Sequence, residues 1–174
     1  MQTPIARLLT PADADAEAYA RLRSAMLVDV PRAFGSSPGE GKGERADEVV
    51  KYLSDPNNAI AVVDHPEADG EFAAAAGIMR VPNAKMRHRA GIWGVYCVPT
   101  LRGRGLGRAV VLRVIEQARA WDGVETIGLS VSARSPEAIG LYESLGFVRW
   151  GTEPDAMRID GESFDEVFLA LRLT

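Results

Sequence analysis

The sequence predicts a mixed α/β sheet in one domain spanning residues 1–174. Three observations carry this. Apolar runs of strand length recur between segments whose apolar residues follow helical spacing. Glycines at 103, 105 and 107 join an apolar strand directly to a helix. Asp160-Gly161 marks a hairpin turn ahead of an alternating final strand. No repeat, low-complexity tract or linker divides the chain, and 174 residues suffice for a sizeable core.

Taken in order, residues 5–9 read as a short strand, and Thr10-Pro11 opens a helix to about residue 28. Ala18, Leu22, Ala25 and Met26 lie along one face of that helix. Residues 29–43, rich in Pro, Gly and Ser, form a mobile loop before a second helix at 44–53. Strands at 59–63 and 72–81 are joined by a polar turn at 66–70, and a basic connection covers 83–89. Residues 91–98 are the central strand and 105–120 the main helix. In that helix Leu106, Val110, Val114, Ala118 and Trp121 recur at helical spacing and therefore belong to the core. Ile127, Leu129 and Val131 alternate with Gly128 and Ser130 as a further strand. A helix at 136–145 starts at Ser135-Pro136 and stops before Gly146. Val167, Leu169, Leu171 and Leu173 alternate as the last strand.

Composition narrows the function classes. The 24 acidic against 20 basic residues leave a net charge of −4, which argues against a nucleic-acid partner held by bulk electrostatics. The single cysteine permits no internal disulfide and suits a reducing cytoplasm. The first residues lack a basic segment followed by an apolar core, and no apolar run approaches membrane-spanning length. The expectation is a soluble cytoplasmic protein with no membrane partner. Two histidines and one cysteine also make a zinc site improbable, so no metal is expected.

The central strand and its loop suggest the chemistry. From Cys97 the chain runs Val98-Pro99-Thr100-Leu101-Arg102-Gly103-Arg104-Gly105-Leu106-Gly107-Arg108. A strand, a tight glycine turn and a helix start present unpaired N–H groups at the positive end of a helix dipole. That is an anion cradle. It is not a Walker A loop, since no Gly-Lys-Ser/Thr follows, and its alternating glycines do not fit the dinucleotide spacing.

Downstream, Ser135-Pro136-Glu137-Ala138-Ile139-Gly140-Leu141-Tyr142-Glu143-Ser144-Leu145-Gly146-Phe147 completes a pair of motifs. Together with Arg102-x-x-Gly105-x-Gly107 it closely resembles the GNAT superfamily of acetyl-CoA-dependent N-acetyltransferases. That family pairs a Gln/Arg-x-x-Gly-x-Gly/Ala loop with an Asn-x-x-Ala-x-x-Leu-Tyr-x-x-x-Gly-Phe helix, and the resemblance covers residues 91–150. It implies a mostly antiparallel sheet of about six or seven strands, with splayed central parallel strands and about four flanking helices. It also implies that coenzyme A lays its pantetheine arm along Val95, Tyr96 and Cys97, like an added strand. The pyrophosphate would rest on the amides of Gly103, Arg104, Gly105, Leu106, Gly107 and Arg108, with Arg102 at the Gln/Arg position. Tyr142 is the implied catalytic residue, a phenol giving a proton to the leaving thiolate. The plainer role for it is a tyrosine packed on the helix face.

Two positions depart from the pattern. Ser135 stands where the family has Asn, and lacks the amide's donor toward the cofactor. Family members place a glutamate general base at positions that are Gly91 or Ser130 here. A lysine-type amine with pKa ~10.4 costs about 4–5 kcal/mol to neutralise at pH 7, an α-amine near ~8 only about 1 kcal/mol. Proton removal is therefore assigned to ordered water, with Tyr96, Glu153, Asp155 and Asp165 as alternatives. Phe34, Trp93, Glu153 and Asp155 are the candidate acceptor residues, the carboxylates suiting a cationic amine. Cys97 has no histidine partner nearby in sequence and reads as filler. The implied reaction is direct transfer of an acetyl group from acetyl-CoA, a cosubstrate, to a primary amine of a small molecule or protein. A non-catalytic acyl-CoA-binding or sensing module is the second reading. An exposed last strand would offer an edge for a homodimer.

Overall fold

The computed structural model describes residues 4–40 and 43–173; the expected loop at 29–43 thus lies partly outside the described residues, as do the first three residues of the chain. Seven strands form one open sheet in the order β1-β2-β3-β4-β5-β7-β6. They are β1 (Arg7–Leu8), β2 (Asn58–Asp64), β3 (Phe72–Arg80), β4 (Arg89–Cys97), β5 (Thr126–Ser132), β6 (Val148–Ile159) and β7 (Glu162–Arg172). Four α-helices accompany them: α1 (Asp13–Asp29), α2 (Ala46–Leu53), α3 (Leu106–Ala120) and α4 (Pro136–Ser144). Every neighbouring pair is antiparallel except β4 and β5.

Both faces of the sheet are covered, which explains why its inner strands read as continuous apolar runs. Ala59, Ala61 and Val63 of β2 join the core under α3, whereas Ile60 and Val62 join the core under α1. Leu106, Val110, Val114 and Ala118 of α3 are buried as their spacing requires. Trp121, the last of that series, is only half-buried and donates its indole N–H to the Pro56 carbonyl at 2.9 Å. On α1, Ala18, Leu22 and Met26 are buried but Ala25 is exposed. The helix instead also buries Tyr19, Arg23 and Leu27. One apolar stripe was expected; α1 is enclosed on two sides because α2 packs against it from outside the sheet.

The connection Pro31–Ala33 is a short 3-10 helix inside what the composition reads as loop. At the C-terminus Asp160 and Gly161 both take positive φ, 50° and 82°, as a tight two-residue hairpin requires. The strand before that turn, β6, has few buried positions and no apolar alternation, so periodicity could not delimit it. It also corrects the expected edge: β7 lies between β5 and β6, and the exposed edge strand is β6.

The arrangement that matters most lies at the parallel pair. β4 and β5 are in register only at Arg89–Thr126, Ala90–Ile127 and Gly91–Gly128, and beyond Gly91 they part. β5 keeps its full ladder to β7, so the gap opens entirely between β4 and β5.

Candidate active site

Four elements meet at this gap. From residue 92 onward β4 has no partner on its β5 side. The Val98 N–H donates to the Ala73 carbonyl at 2.9 Å, so strand alternation turns the main-chain groups of Cys97, and of Val95 two residues earlier, toward the open side. The ladder to β3 skips at this point: Trp93 faces Gly77 and Tyr96 faces Ala75, leaving Gly94 and Val95 opposite Ala76 alone. This is a β-bulge, with Gly94 at φ 61° supplying the left-handed residue. A bulge in mid-strand re-aims the backbone at the mouth of the gap. The glycine inside a strand pattern was the available signal for it.

Beyond β4 the chain turns through a 3-10 segment, Pro99–Leu101, and two left-handed glycines, Gly103 at φ 76° and Gly105 at φ 82°. Gly105 is the N-cap of α3, and no side chain caps the helix. The first helical bond runs from Ala109 N–H to Gly105 C=O at 3.0 Å. The amides of Leu106, Gly107 and Arg108 therefore precede the helical ladder and remain available to an anion. Arg104 is exposed beside them, and Arg108 donates to the Ser144 hydroxyl at 3.0 Å, tying the cradle to α4.

Across the gap, α4 carries Tyr142, buried and edge-on to Phe147 with ring centres 5.9 Å apart. Its hydroxyl has no hydrogen-bond partner among the described residues and lines a small cleft with Val95, Ser130 and Ser135. Burial pushes its pKa above that of an ordinary phenol, so the O–H stays protonated. Ser135 is the N-cap of α4 as expected, but its hydroxyl makes no capping bond.

Beside the cleft lies a larger cavity of about 860 Å³ between β4, α1 and α2. Both are lined by Phe34, Trp93, Gly94 and Ser130, so they adjoin along a shared wall. Trp93 is fixed there: its indole N–H donates to the Tyr52 hydroxyl at 2.8 Å, and that hydroxyl donates to the Ile78 carbonyl at 2.8 Å. Its ring lies directly on Gly77, where a methyl group would come within 2.3 Å of the indole. Gly77→Ala is therefore expected to push Trp93 off its seat and destabilise the fold by roughly 1–3 kcal/mol. Chemical denaturation followed by tryptophan fluorescence checks this; unchanged stability with an unshifted emission maximum would refute it.

Three comparisons bear on what this arrangement is. The model of the Acetyltransferase (GNAT) family matches residues 27–147, more than half of the chain. The chain belongs to the GNAT acetyltransferase family. It is 30% identical over 149 residues to the Escherichia coli (strain K12) protein YjgM, named an uncharacterized N-acetyltransferase, covering 84% of this chain and 83% of that one. It is 30% identical over 133 residues to the mycothiol acetyltransferase of Paenarthrobacter aurescens (strain TC1), covering 74% of this chain but only 40% of that protein. Among solved structures, an acetyltransferase of the GNAT family from Streptococcus pneumoniae superposes with a TM-score of 0.80 at 22% identity, over 97% of this chain and 99% of that chain. The yncA structure from Salmonella typhimurium, solved with its cofactor acetyl-CoA, gives 0.81 at 20% identity, over 99% and 95%. The chain is thus a GNAT acyltransferase with the seven-stranded sheet and four helices of that fold.

Not every residue singled out from the GNAT motifs faces the gap. Arg102 turns back from the loop: its guanidinium pairs with Asp29 at 2.7 Å and donates to the Cys97 carbonyl at 3.0 Å. Tyr96 points to the α1 face, and its hydroxyl donates to the same Asp29 carboxylate at 3.1 Å. Burial and that carboxylate push its pKa up to about 12, so it holds its proton and does not serve as a base. Cys97 is half-buried, and desolvation raises its thiol as well, which fits filler rather than nucleophile.

Phe34 and Trp93 line the cavity, but Glu153 and Asp155 do not. Both are exposed on β6. Asp155 is ion-paired with Arg158 and accepts from Ser163, which hold its carboxyl down at about 2. Asp165 is likewise exposed and accepts from the Asp155 N–H at 2.9 Å. The carboxylate that reaches the cavity from the β5–β7 side is Glu166, opposite Ser132 in the ladder. Its position was legible: if Val167 and Leu169 face α3, the alternating residues Glu166 and Phe168 face the other way. Arg23 and Tyr52 also line the cavity and carry no sequence signal of their own. Among the described residues there is no cluster of metal-binding side chains, and no helix is long and apolar enough to cross a membrane.

Proposed function

We propose that this chain is an acetyl-CoA-dependent N-acetyltransferase that transfers directly to a primary amine within one domain. The observation that carries the reading is the juxtaposition of open strand edge, partnerless phenol and acceptor-sized cavity at one parting of the sheet. The site fits the cosubstrate. Free amides of Leu106, Gly107 and Arg108 suit its diphosphate, and the open edge at Val95 and the Cys97 N–H suits the amide groups of a pantetheine arm, the Cys97 carbonyl being held by Arg102.

The chain's own residues account for the proton movements. The amine nitrogen forms a bond to the acetyl carbon as the carbon–sulfur bond breaks, and the sulfur leaves with the bonding pair. Tyr142 O–H supplies a proton at sulfur. The nitrogen sheds two protons: one leaves the ammonium through Glu166, the carboxylate on the cavity wall beyond the gap, directly or by way of water, and the second, lost once the carbon–nitrogen bond has formed, returns through water to the Tyr142 oxygen. An ammonium, acetyl-CoA and no further reactant give the acetamide, free thiol and one proton.

The test is thiol release from acetyl-CoA with amines grouped by charge and pKa. Release is expected only when an amine is present, and Glu166→Gln is expected to lower kcat/KM by on the order of 10²-fold. Absence of release across the panel, with acetyl-CoA still bound by calorimetry, would overturn the transferase reading and favour a cofactor-sensing module.

A further inference from the structure

One side chain in the cavity wall has no structural justification for its charge. Arg23, in mid-α1, is only 6% exposed. Among the described residues no carboxylate pairs with it, and its Nε is buried without a hydrogen-bond partner. The one polar contact that its guanidinium makes is Nη1–H to the Met26 sulfur at 3.3 Å, a weak acceptor. The guanidinium is stacked against Phe34 and Trp93, 5.4 Å and 5.7 Å from the ring centres. Cation–π contacts of this kind orient the group but leave its N–H fork unsatisfied. A buried permanent cation without a counter-ion is costly, and packing alone would be served better by Met or Leu. The neighbouring Tyr19 hydroxyl is also buried and partnerless.

The guanidinium and this hydroxyl both approach Gly94, Arg23 through Nη1, the nitrogen that also touches Met26. A methyl group on Gly94 would lie 3.6 Å from Arg23 Nη1 and 3.8 Å from the Tyr19 hydroxyl. Gly94 is the bulge residue, shared by the cofactor cleft and the larger cavity. The donors therefore sit beside the residue common to the two spaces. A plain alkylammonium there would bring a second positive charge against Arg23.

We infer that Arg23, with the Tyr19 hydroxyl, receives the carboxylate of the acceptor, so that the acceptor is a free α-amino acid rather than a plain alkylamine. This rests on the transferase reading above and narrows it to a substrate class. Phe34, Trp93 and Tyr52 on the same wall favour an apolar or aromatic side chain. Glu40, Glu48 and Asp55 line the same cavity with Lys51, so the positive charge of Arg23 is confined to the part beside Gly94. Glu166 faces the ammonium and Arg23 the carboxylate, a pairing that matches a zwitterion.

The test compares L-phenylalanine and L-methionine with their carboxamides and with phenethylamine, by thiol release. The free acids are expected to exceed both kinds of analogue in kcat/KM by on the order of 10²-fold, and Arg23→Met to erase that preference. The ligand-free Arg23→Met protein is expected to melt no lower than the parent, because an unpaired buried charge has been removed. Equal or better activity with carboxamides would overturn the assignment. So would Arg23→Met lowering activity on every amine by the same factor with a lower melting temperature, the mark of a merely structural arginine. A second readout is independent of turnover: N-acetyl-L-phenylalanine should raise the melting temperature of the parent but not of Arg23→Met, and its carboxamide should raise neither. Lack of thiol release with that melting pattern intact would count against the transferase reading alone; equal shifts with acid and amide would sink the role of Arg23.

Discussion

Tyr142→Phe is expected to lower turnover by on the order of 10²-fold while acetyl-CoA affinity and melting temperature stay near those of the parent. General acid catalysis contributes about 10²–10⁴ in rate. The lower end applies here because a thiol with pKa ~8.5 leaves more readily than an alcohol. The substitution removes one oxygen and nothing else. That oxygen has no protein partner among the described residues, so its loss strands no other polar group. The ring contact to Phe147 is kept. Desolvation raises the phenol's pKa, so the donor is protonated throughout the working range and should contribute no limb to the pH profile below its raised pKa. Steady-state kinetics beside calorimetry with acetyl-CoA decide the matter. Unchanged turnover would remove Tyr142 from the chemistry and leave it as a packed helix residue.

The second large effect concerns the loop. Gly105→Val should weaken coenzyme A binding by on the order of 10–10²-fold, whereas Gly105→Asn should remain within a few-fold of the parent. Gly105 sits at φ 82° as the N-cap of α3. A β-branched residue is a true outlier there, at a cost of about 1–3 kcal/mol if the conformation is kept. Asn tolerates the left-handed region because its short side chain bonds locally. To escape the strain the Val variant must turn the loop, and the amides of 106–108 then lose their common aim. Pantetheine, which lacks the diphosphate, gives the control: its affinity should be the same in all three proteins. A Val variant that binds coenzyme A as the parent does would show that the loop amides are not the anion site.

Where local pattern sufficed, the sequence located the elements closely. The main helix was expected from residue 105 and starts at Leu106, and the helix ahead of Gly146 ends at Ser144. Asp160-Gly161 marked its turn because only a few residues accept two successive positive φ values. The polar strand β6 lacked any such signal, being an exposed edge with little to bury. On the site, the glycine loop and Tyr142 were legible as motifs, and Phe34 and Trp93 do line the cavity. The acidic candidates failed for a physical reason. Glu153 and Asp155 are near the hairpin in sequence, but their strand is the outermost of the sheet, two places from the gap.

The sequence by itself therefore determined most of the order of strands and helices, the glycine turn at the start of α3 and the family. Each depends on residues close together in the chain. Tertiary structure alone decided which side chains share the cavity, since Arg23, Tyr52, Trp93 and Glu166 come from α1, α2, β4 and β7. Arg23 reads as one more polar residue on a surface helix until α2 and the Phe34 loop close over it. Burial is a property of what packs on top of a residue, and here the covering groups are distant in the chain. The missing counter-ion, which carries the acceptor assignment, becomes visible only once that cover is in place.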